Sequence, residues 1–201
     1  MKKKTISIIG TGVIGAGWAA RFLASGHNVK AYDPNKKALK KLQKDVKNAL
    51  ASLRKVGLNK NASLRNLKCY STVNAAIKDA DFIQECASEN YALKTKLMTI
   101  ISKYAKPNAI ISSSSSGLLP TRIYSKCKNP ERALIGHPFN PVYLLPAVEI
   151  VPGKKTSKNF INQAKQFYKS LSMNPIMIKK ELPGYLSDRL QEALWREGLH
   201  I

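Results

Sequence analysis

The sequence predicts an α/β fold with a doubly wound, mainly parallel sheet and helices on both faces. Two observations carry that prediction. Short β-rich apolar runs alternate with longer stretches of helical periodicity along most of the 201 residues, which is the pattern of parallel strands joined by crossover helices. The first run, residues 5–9, passes without a spacer into Gly10-Thr11-Gly12-Val13-Ile14-Gly15, and a helix-like stretch, residues 16–25, follows at once.

That strand, glycine turn and helix lead to a second apolar run, residues 29–32, which ends in Asp33. The distance suits a β-α-β unit in which an acid reads a ribose. Gly10 permits the tight turn, Gly12 lets a diphosphate approach the backbone, and Gly15 lets helix and strand pack closely. The helix beginning near Val13 and Ile14 offers its amides and positive dipole end to the phosphates. Asp33 accepts from both ribose hydroxyls and repels a 2′-phosphate, so NAD is favoured over NADP. Lys36 and Lys37 follow closely and soften that preference.

The remaining elements follow in order. Residues 35–56 repeat apolar side chains at spacings of three and four, including Leu39, Leu42, Val46 and Leu53, and read as a long helix. A polar connection with a second short helix leads to a strand at 67–70 and a short helix at 73–78. Residues 81–86 read as a strand, 90–104 as a helix, and 109–111 as a buried strand running into five serines, Ser112 to Ser116. Residues 133–135 form a strand before Gly136-His137-Pro138-Phe139-Asn140-Pro141, read as a rigid loop with two prolines. A strand at 147–151, a helix at 157–171 and a strand at 175–178 follow. Pro183-Gly184 then breaks the chain before a final helix, whose apolar face (Leu186, Leu190, Ala193, Leu194, Trp195) has nothing downstream to bury it.

Composition bounds the function classes. The chain carries 34 Lys plus Arg against 12 Asp plus Glu, a formal net charge of +22. Such a balance draws anions, but the basic residues are scattered along helix-like stretches without a nucleic-acid motif, so a solvated lysine-rich surface is the preferred reading. The three cysteines, Cys69, Cys86 and Cys127, show no CxxC pattern and argue for a reducing compartment, without a disulfide frame or a metal site. The basic start at Met1 resembles a secretory signal, but glycines and Arg21 interrupt the apolar stretch. No run is long enough to span a membrane. A cytoplasmic protein without nucleic-acid or membrane partners is expected.

Of the three histidines, His27 in a Gly-His-Asn turn and His200 beside the chain end read as surface residues. His137 has Glu149 on the next strand, and a carboxylate beside an imidazole suits a general base. Spacing alone serves equally a hydrogen-bonded loop histidine. The serine run serves equally as a polar loop or as a hydroxyl donor to a substrate oxygen. No GxSxG elbow supports a serine hydrolase.

As a set, the glycine turn, Asp33, residues 85–94, residues 112–118, residues 137–141, Glu149 and residues 183–190 resemble the 3-hydroxyacyl-CoA dehydrogenase family over essentially the whole chain. The resemblance implies a Rossmann-type domain at 1–183. It implies that 184–201 begins a truncated all-α C-terminal domain for substrate and dimerisation. It implies NAD as cofactor, His137 as base with Glu149 as its partner, and Ser116 and Asn140 as groups that hold the reacting oxygen. Glu89 and Lys94 match positions on the nicotinamide side. Where acyl-CoA members carry asparagine, this chain has Asp188, and the surrounding residues resemble the L-carnitine dehydrogenase branch. The expectation is oxidation of the 3-hydroxyl of a small 3-hydroxy acid, L-carnitine first, by a homodimer in its complete form. Asp188, Tyr143 or Trp195 would meet the trimethylammonium group. The alternatives are an acyl-CoA substrate, a silent NAD-binding fragment and, more weakly, a basic nucleic-acid-binding protein.

Overall fold

A computed structural model describes residues 2–57, 59 and 61–201. Met1 of the basic start lies outside the described residues, as do Leu58 and Lys60 in the connection where a second short helix was expected. That connection contains a 3₁₀ turn at Leu64–Asn66.

The elements run β1 (Thr5–Ile9), α1 (Val13–Ala24), β2 (Asn28–Tyr32), α2 (Lys36–Leu53), β3 (Leu67–Tyr70), α3 (Val73–Ile77), β4 (Phe82–Glu85) and α4 (Tyr91–Tyr104). They continue with β5 (Ile110–Ser113), α5 (Pro120–Ile123), β6 (Ala133–Pro138), β7 (Ala147–Pro152), α6 (Lys158–Ser170), β8 (Asn174–Met177) and α7 (Ser187–His200). One eight-stranded sheet has the order β3-β2-β1-β4-β5-β6-β7-β8. All pairs are parallel except β6 with β7. The strand order reverses direction at β1, so the crevice between the carboxyl ends of β1 and β4 is a topological switch point where ligands bind.

The period of two along each strand divides the core. Ile6 and Ile8 of β1 join Trp18 and Phe22 of α1, Leu42 and Val46 of α2, and Phe167 and Tyr168 of α6. Ile9 faces the other way with Ile77 of α3, Met98 and Ile101 of α4, and Ile123 of α5. Each such side chain contributes about 1.5–3 kcal/mol when fully buried. Asn35, Thr72, Asn90 and Ser157 cap α2, α3, α4 and α6 by accepting amide hydrogens, each worth about 1 kcal/mol.

Three expectations change. Residues 136–138 are strand, not loop: β6 runs through Pro138 because its antiparallel pairing with β7 continues to the Pro138–Val148 pair. The strand before the serine run extends through Ser112 and Ser113, both buried. His27 is not a surface residue. It is 1% exposed, lies 5.9 Å from the Phe167 ring, and accepts the Lys4 amide at Nδ1. The turn folds back against α6, so burial, reinforced by the charge of Lys4, pushes the imidazole down to about 4. The four-residue α5 was not anticipated, being too short to show a period; Pro120 starts it at the first helical position.

Candidate functional site

The glycine turn sits at the switch point. Gly10 has φ 96°, and a Cβ there would meet the Cys86 carbonyl carbon at 2.7 Å. A Cβ at Gly15 would lie 2.0 Å from the Gly10 oxygen, so that glycine is what lets α1 sit on β1. Gly12 differs, because nothing lies within 4 Å of its Cβ position and the residue is exposed. Gly12 also leaves α1 without a side-chain cap, so the first amides of the helix, beginning with Val13 and Ile14, lack the partner that four other helices have. An open cradle in front of unpartnered amides fits a diphosphate. Asp33 stands beside it: Oδ2 accepts the Thr11 amide at 2.8 Å and hydroxyl at 3.1 Å, and Oδ1 accepts the Asn35 amide at 2.9 Å. Its carboxylate is thereby pinned at the end of β2, and Lys36 and Lys37 are exposed just beyond.

Next along the sheet edge, Glu85 ends β4 fully buried. Lys94 of α4, 1% exposed, donates to both of its oxygens at 2.9 and 3.1 Å and to the Ala87 carbonyl at 2.9 Å. Ser113 also donates to Glu85. Lys94 thus fastens α4 to the sheet, and its donors are directed at protein groups. Glu89 is partly exposed and reaches the serine loop instead, accepting the Ser115 hydroxyl and the Ser116 and Gly117 amides, the last two at 3.1 and 3.2 Å. Glu89 therefore shapes the loop that carries Ser116, a half-buried residue held there by its backbone amide.

His137 and Glu149 face one another across the antiparallel pair. Nδ1 meets Glu149 Oε2 at 2.8 Å. A carboxylate only accepts, so Nδ1 carries the proton and Nε2 is left as the basic nitrogen. The rings of Phe139 and Tyr185 lie 5.9 and 5.8 Å from the imidazole. Burial opposes ionisation of Glu149, but hydrogen bonds from His137 and from the Ser187 backbone and side chain outweigh it and hold the carboxyl below its ordinary value. Asp188 feels the same surroundings with the opposite result. Burial raises it, and the charges of Glu149 and Glu89 add to that against the pull of His137.

Beneath the pair lies a buried polar network. Tyr168 hydroxyl contacts Ser112 Oγ at 2.9 Å and donates to Gln84 Oε1 at 2.9 Å, while Gln84 Nε2 donates to Ser114 Oγ at 2.8 Å and the Gly136 carbonyl at 3.2 Å. A Cβ at Gly136 would fall 1.9 Å from the Tyr168 oxygen. Arg21 of α1 donates to the carbonyls of Val142, Tyr143, Leu145 and Leu171, which anchors the chain after Asn140. Asn140 itself is exposed and lines a cleft of about 300 Å³ with Val13, Gly17 and Tyr143. Tyr143 belongs to that α1–α2 side, and Trp195 is 61% exposed on α7; the rings against His137 are those of Phe139 and Tyr185. Sequence reasoning missed both rings, the Tyr168 network and Ser187. Only the Pro-Gly break two residues upstream of Leu186 hinted that 184–187 returns to the site.

The sheet order, the open glycine cradle and the pinned acid define a dinucleotide-binding domain of the doubly wound class. The chain belongs to the 3-hydroxyacyl-CoA dehydrogenase family, whose NAD-binding domain matches residues 5–182. Curated relatives include L-carnitine dehydrogenases of Pseudomonas putida, 52% identical over 98% of this chain, and of Burkholderia mallei, 50% identical over all of it. The chain spans 62% of the length of each. Among solved structures, a pyridine-carboxylic acid dehydrogenase described as an NAD+ dependent dismutase superposes with TM-score 0.92 at 27% identity, over 99% of this chain and 65% of its own. 3-Hydroxybutyryl-CoA dehydrogenase of Escherichia coli superposes with TM-score 0.88 at 27% identity, over 98% of this chain and 43% of its own.

Proposed function

We propose that this domain serves NAD-dependent oxidation of the 3-hydroxyl of a small 3-hydroxy acid, with L-carnitine as the substrate. The observation that carries the dehydrogenase reading is the His137–Glu149 pair, held at 2.8 Å at the same sheet edge as the glycine turn. His137 Nε2 takes the hydroxyl proton as the carbinol carbon is oxidised, and Glu149 stabilises the imidazolium that results. Ser116 and Asn140 hold the reacting oxygen, and Glu89 keeps the serine loop in place. Bound NAD supplies the hydride acceptor, its diphosphate at Gly10, Gly12, Val13, Ile14 and Gly15 and its ribose at Asp33, with Glu89 and Lys94 on the nicotinamide side.

Carnitine is favoured over an acyl-CoA by the charge at this edge as well as by the names of the relatives. The chain as a whole is strongly basic, yet Asp188 feels the negative charges of Glu149 and Glu89. Such a corner attracts a trimethylammonium group and repels the phosphates of CoA. We read 1–183 as the cofactor domain and 184–201 as the first helix of a helical substrate and dimerisation domain. The exposed Leu190, Leu194, Trp195 and Leu199 of α7 support that reading. Among the described residues no helix is long and apolar enough to cross a membrane, and three free cysteines support a reducing, cytoplasmic setting.

The test is NADH formation with L-carnitine, with 3-hydroxybutyryl-CoA and with neither, in the parent and in His137→Gln. Turnover of carnitine should fall about 10²–10⁴-fold in the variant, while NAD affinity measured by calorimetry stays the same. Retained turnover in His137→Gln would overturn the reading of the base, and preference for the thioester would overturn the substrate.

A further inference from the structure

The segment 184–187 crosses the edge of the site and is fastened on both sides. Tyr185 donates its hydroxyl to the Leu118 carbonyl at 2.7 Å, beside the serine loop. On the other side the amides of Leu186 and Ser187 donate to Glu149 Oε1 at 3.2 and 2.9 Å. Glu149 thereby caps the amino end of α7, which has no side-chain cap of its own. The Ser187 hydroxyl donates to Glu149 Oε2 at 2.9 Å, and this is the oxygen that meets His137 Nδ1.

The terminal torsion of a glutamate is broad, so one anchored oxygen does not fix the plane of the carboxylate. Two amides on Oε1 leave Oε2 free to swing unless something holds it. We propose that Ser187 is a positioning residue whose hydroxyl fixes the plane of the Glu149 carboxylate and so keeps His137 in the Nδ1–H form, with Nε2 as the free base. This rests on the reading of His137 as the base and names what prepares it. A neutral imidazole carries one proton, and the partner of the other nitrogen decides which nitrogen holds it. The other groups around the pair do not substitute for the hydroxyl: Tyr185 meets the imidazole edge-on and donates elsewhere, Phe139 has no donor, and Asp188 and Glu89 are carboxylates.

The proposal makes the docking of α7 part of the catalytic arrangement. It is tested by long-range ¹⁵N–¹H NMR of the histidine-labelled protein at a pH where the imidazole is neutral. The parent should show a protonated Nδ1 and an unprotonated Nε2 at His137. Ser187→Ala should lower the ratio of Nδ1–H to Nε2–H forms about tenfold, the scale of one hydrogen bond to a charged group, and Ser187→Thr should restore it. His27 accepts a hydrogen bond at Nδ1 from the Lys4 backbone amide and so has the opposite tautomer. Its unchanged signals report an intact fold in the same spectrum. Should Ser187→Ala unfold, the isosteric pair Ser187→Thr and Ser187→Val differs only in the hydroxyl and must split the same way. Equal tautomer ratios in Thr and Val variants would overturn the proposal. That failure is distinct from retained turnover in His137→Gln, which would remove the base while leaving the NMR result in place.

Discussion

His27 and His137 are both buried, and their partners give them opposite properties. Among the described residues His27 Nε2 has no partner and Nδ1 accepts the Lys4 amide, so the fold favours its neutral form. Between its ordinary 6.5 and the folded value of about 4 the unfolded chain binds a proton that the folded chain refuses, and stability therefore falls as the pH is lowered through that window. The loss linked to Glu149 comes lower still, because its stabilisation is fully present above its ordinary 4.5 and disappears as the pH falls through its depressed folded value. Melting temperature measured from pH 7 to about 4 should decline less steeply in His27→Gln, which keeps an acceptor for Lys4 but does not titrate. Parallel curves would remove His27 as the cause. Of the two histidines, the sequence made His137 legible through Glu149, whereas His27 sat in a turn motif that usually faces water. Its burial depends on Phe167, distant in the chain, and no local pattern reveals that.

At the scale of elements, the ion pair between Lys94 and Glu85 is the strongest local commitment. Both groups are out of water, with side chains 1% and 0% exposed. Lys94→Met would strand a buried carboxylate and should cost about 3–5 kcal/mol by urea denaturation. Lys106→Met at the pair with Asp81, where the side chains are 41% and 36% exposed, should cost about 1 kcal/mol or less. Similar losses at both would mean that Glu85 is resolvated or neutralised in the variant. Elements with a clear period were read within a few residues from sequence, as with α2 and α4. The miss at β6 has a definite origin: Pro138 and Pro141 looked like loop punctuation, but Pro138 occupies the last position of the strand, where a missing amide is tolerated. The site inherited that error. Its histidine belongs to a rigid sheet, and its aromatic neighbours, Phe139 and Tyr185, arrive from one adjacent and one distant position later in the chain.

For the whole molecule the excess of positive charge is the dominant unbalanced term. Among the described residues, only Lys41, Lys94 and Lys106 of the many lysines reach a carboxylate, and self-repulsion opposes the compact state. Raising sodium chloride from about 0.01 to about 1 M shortens the screening length from about 30 to about 3 Å. The melting temperature should rise across that series; a flat or falling response would place the lysines too far apart to matter. Total charge was legible from composition, but its distribution was not. The negative charges of Glu149 and Glu89 that act on Asp188 come from separate stretches of chain, which only the fold brings within range.

The reversal of a single strand gives the His137–Glu149 pair an unusual kind of tolerance. Because the two residues oppose one another within a continuous ladder from the Leu134–Pro152 pair to the Pro138–Val148 pair, their meeting does not depend on the length of the connection at 139–146. Residues gained or lost there leave the partners face to face, whereas sliding the ladder by one step turns Glu149 to the opposite side of the sheet. The ladder alone thus sets the meeting of imidazole and carboxylate, and the connection, which Arg21 pins at the Val142, Tyr143 and Leu145 carbonyls, carries the separate task of placing Phe139 and Asn140.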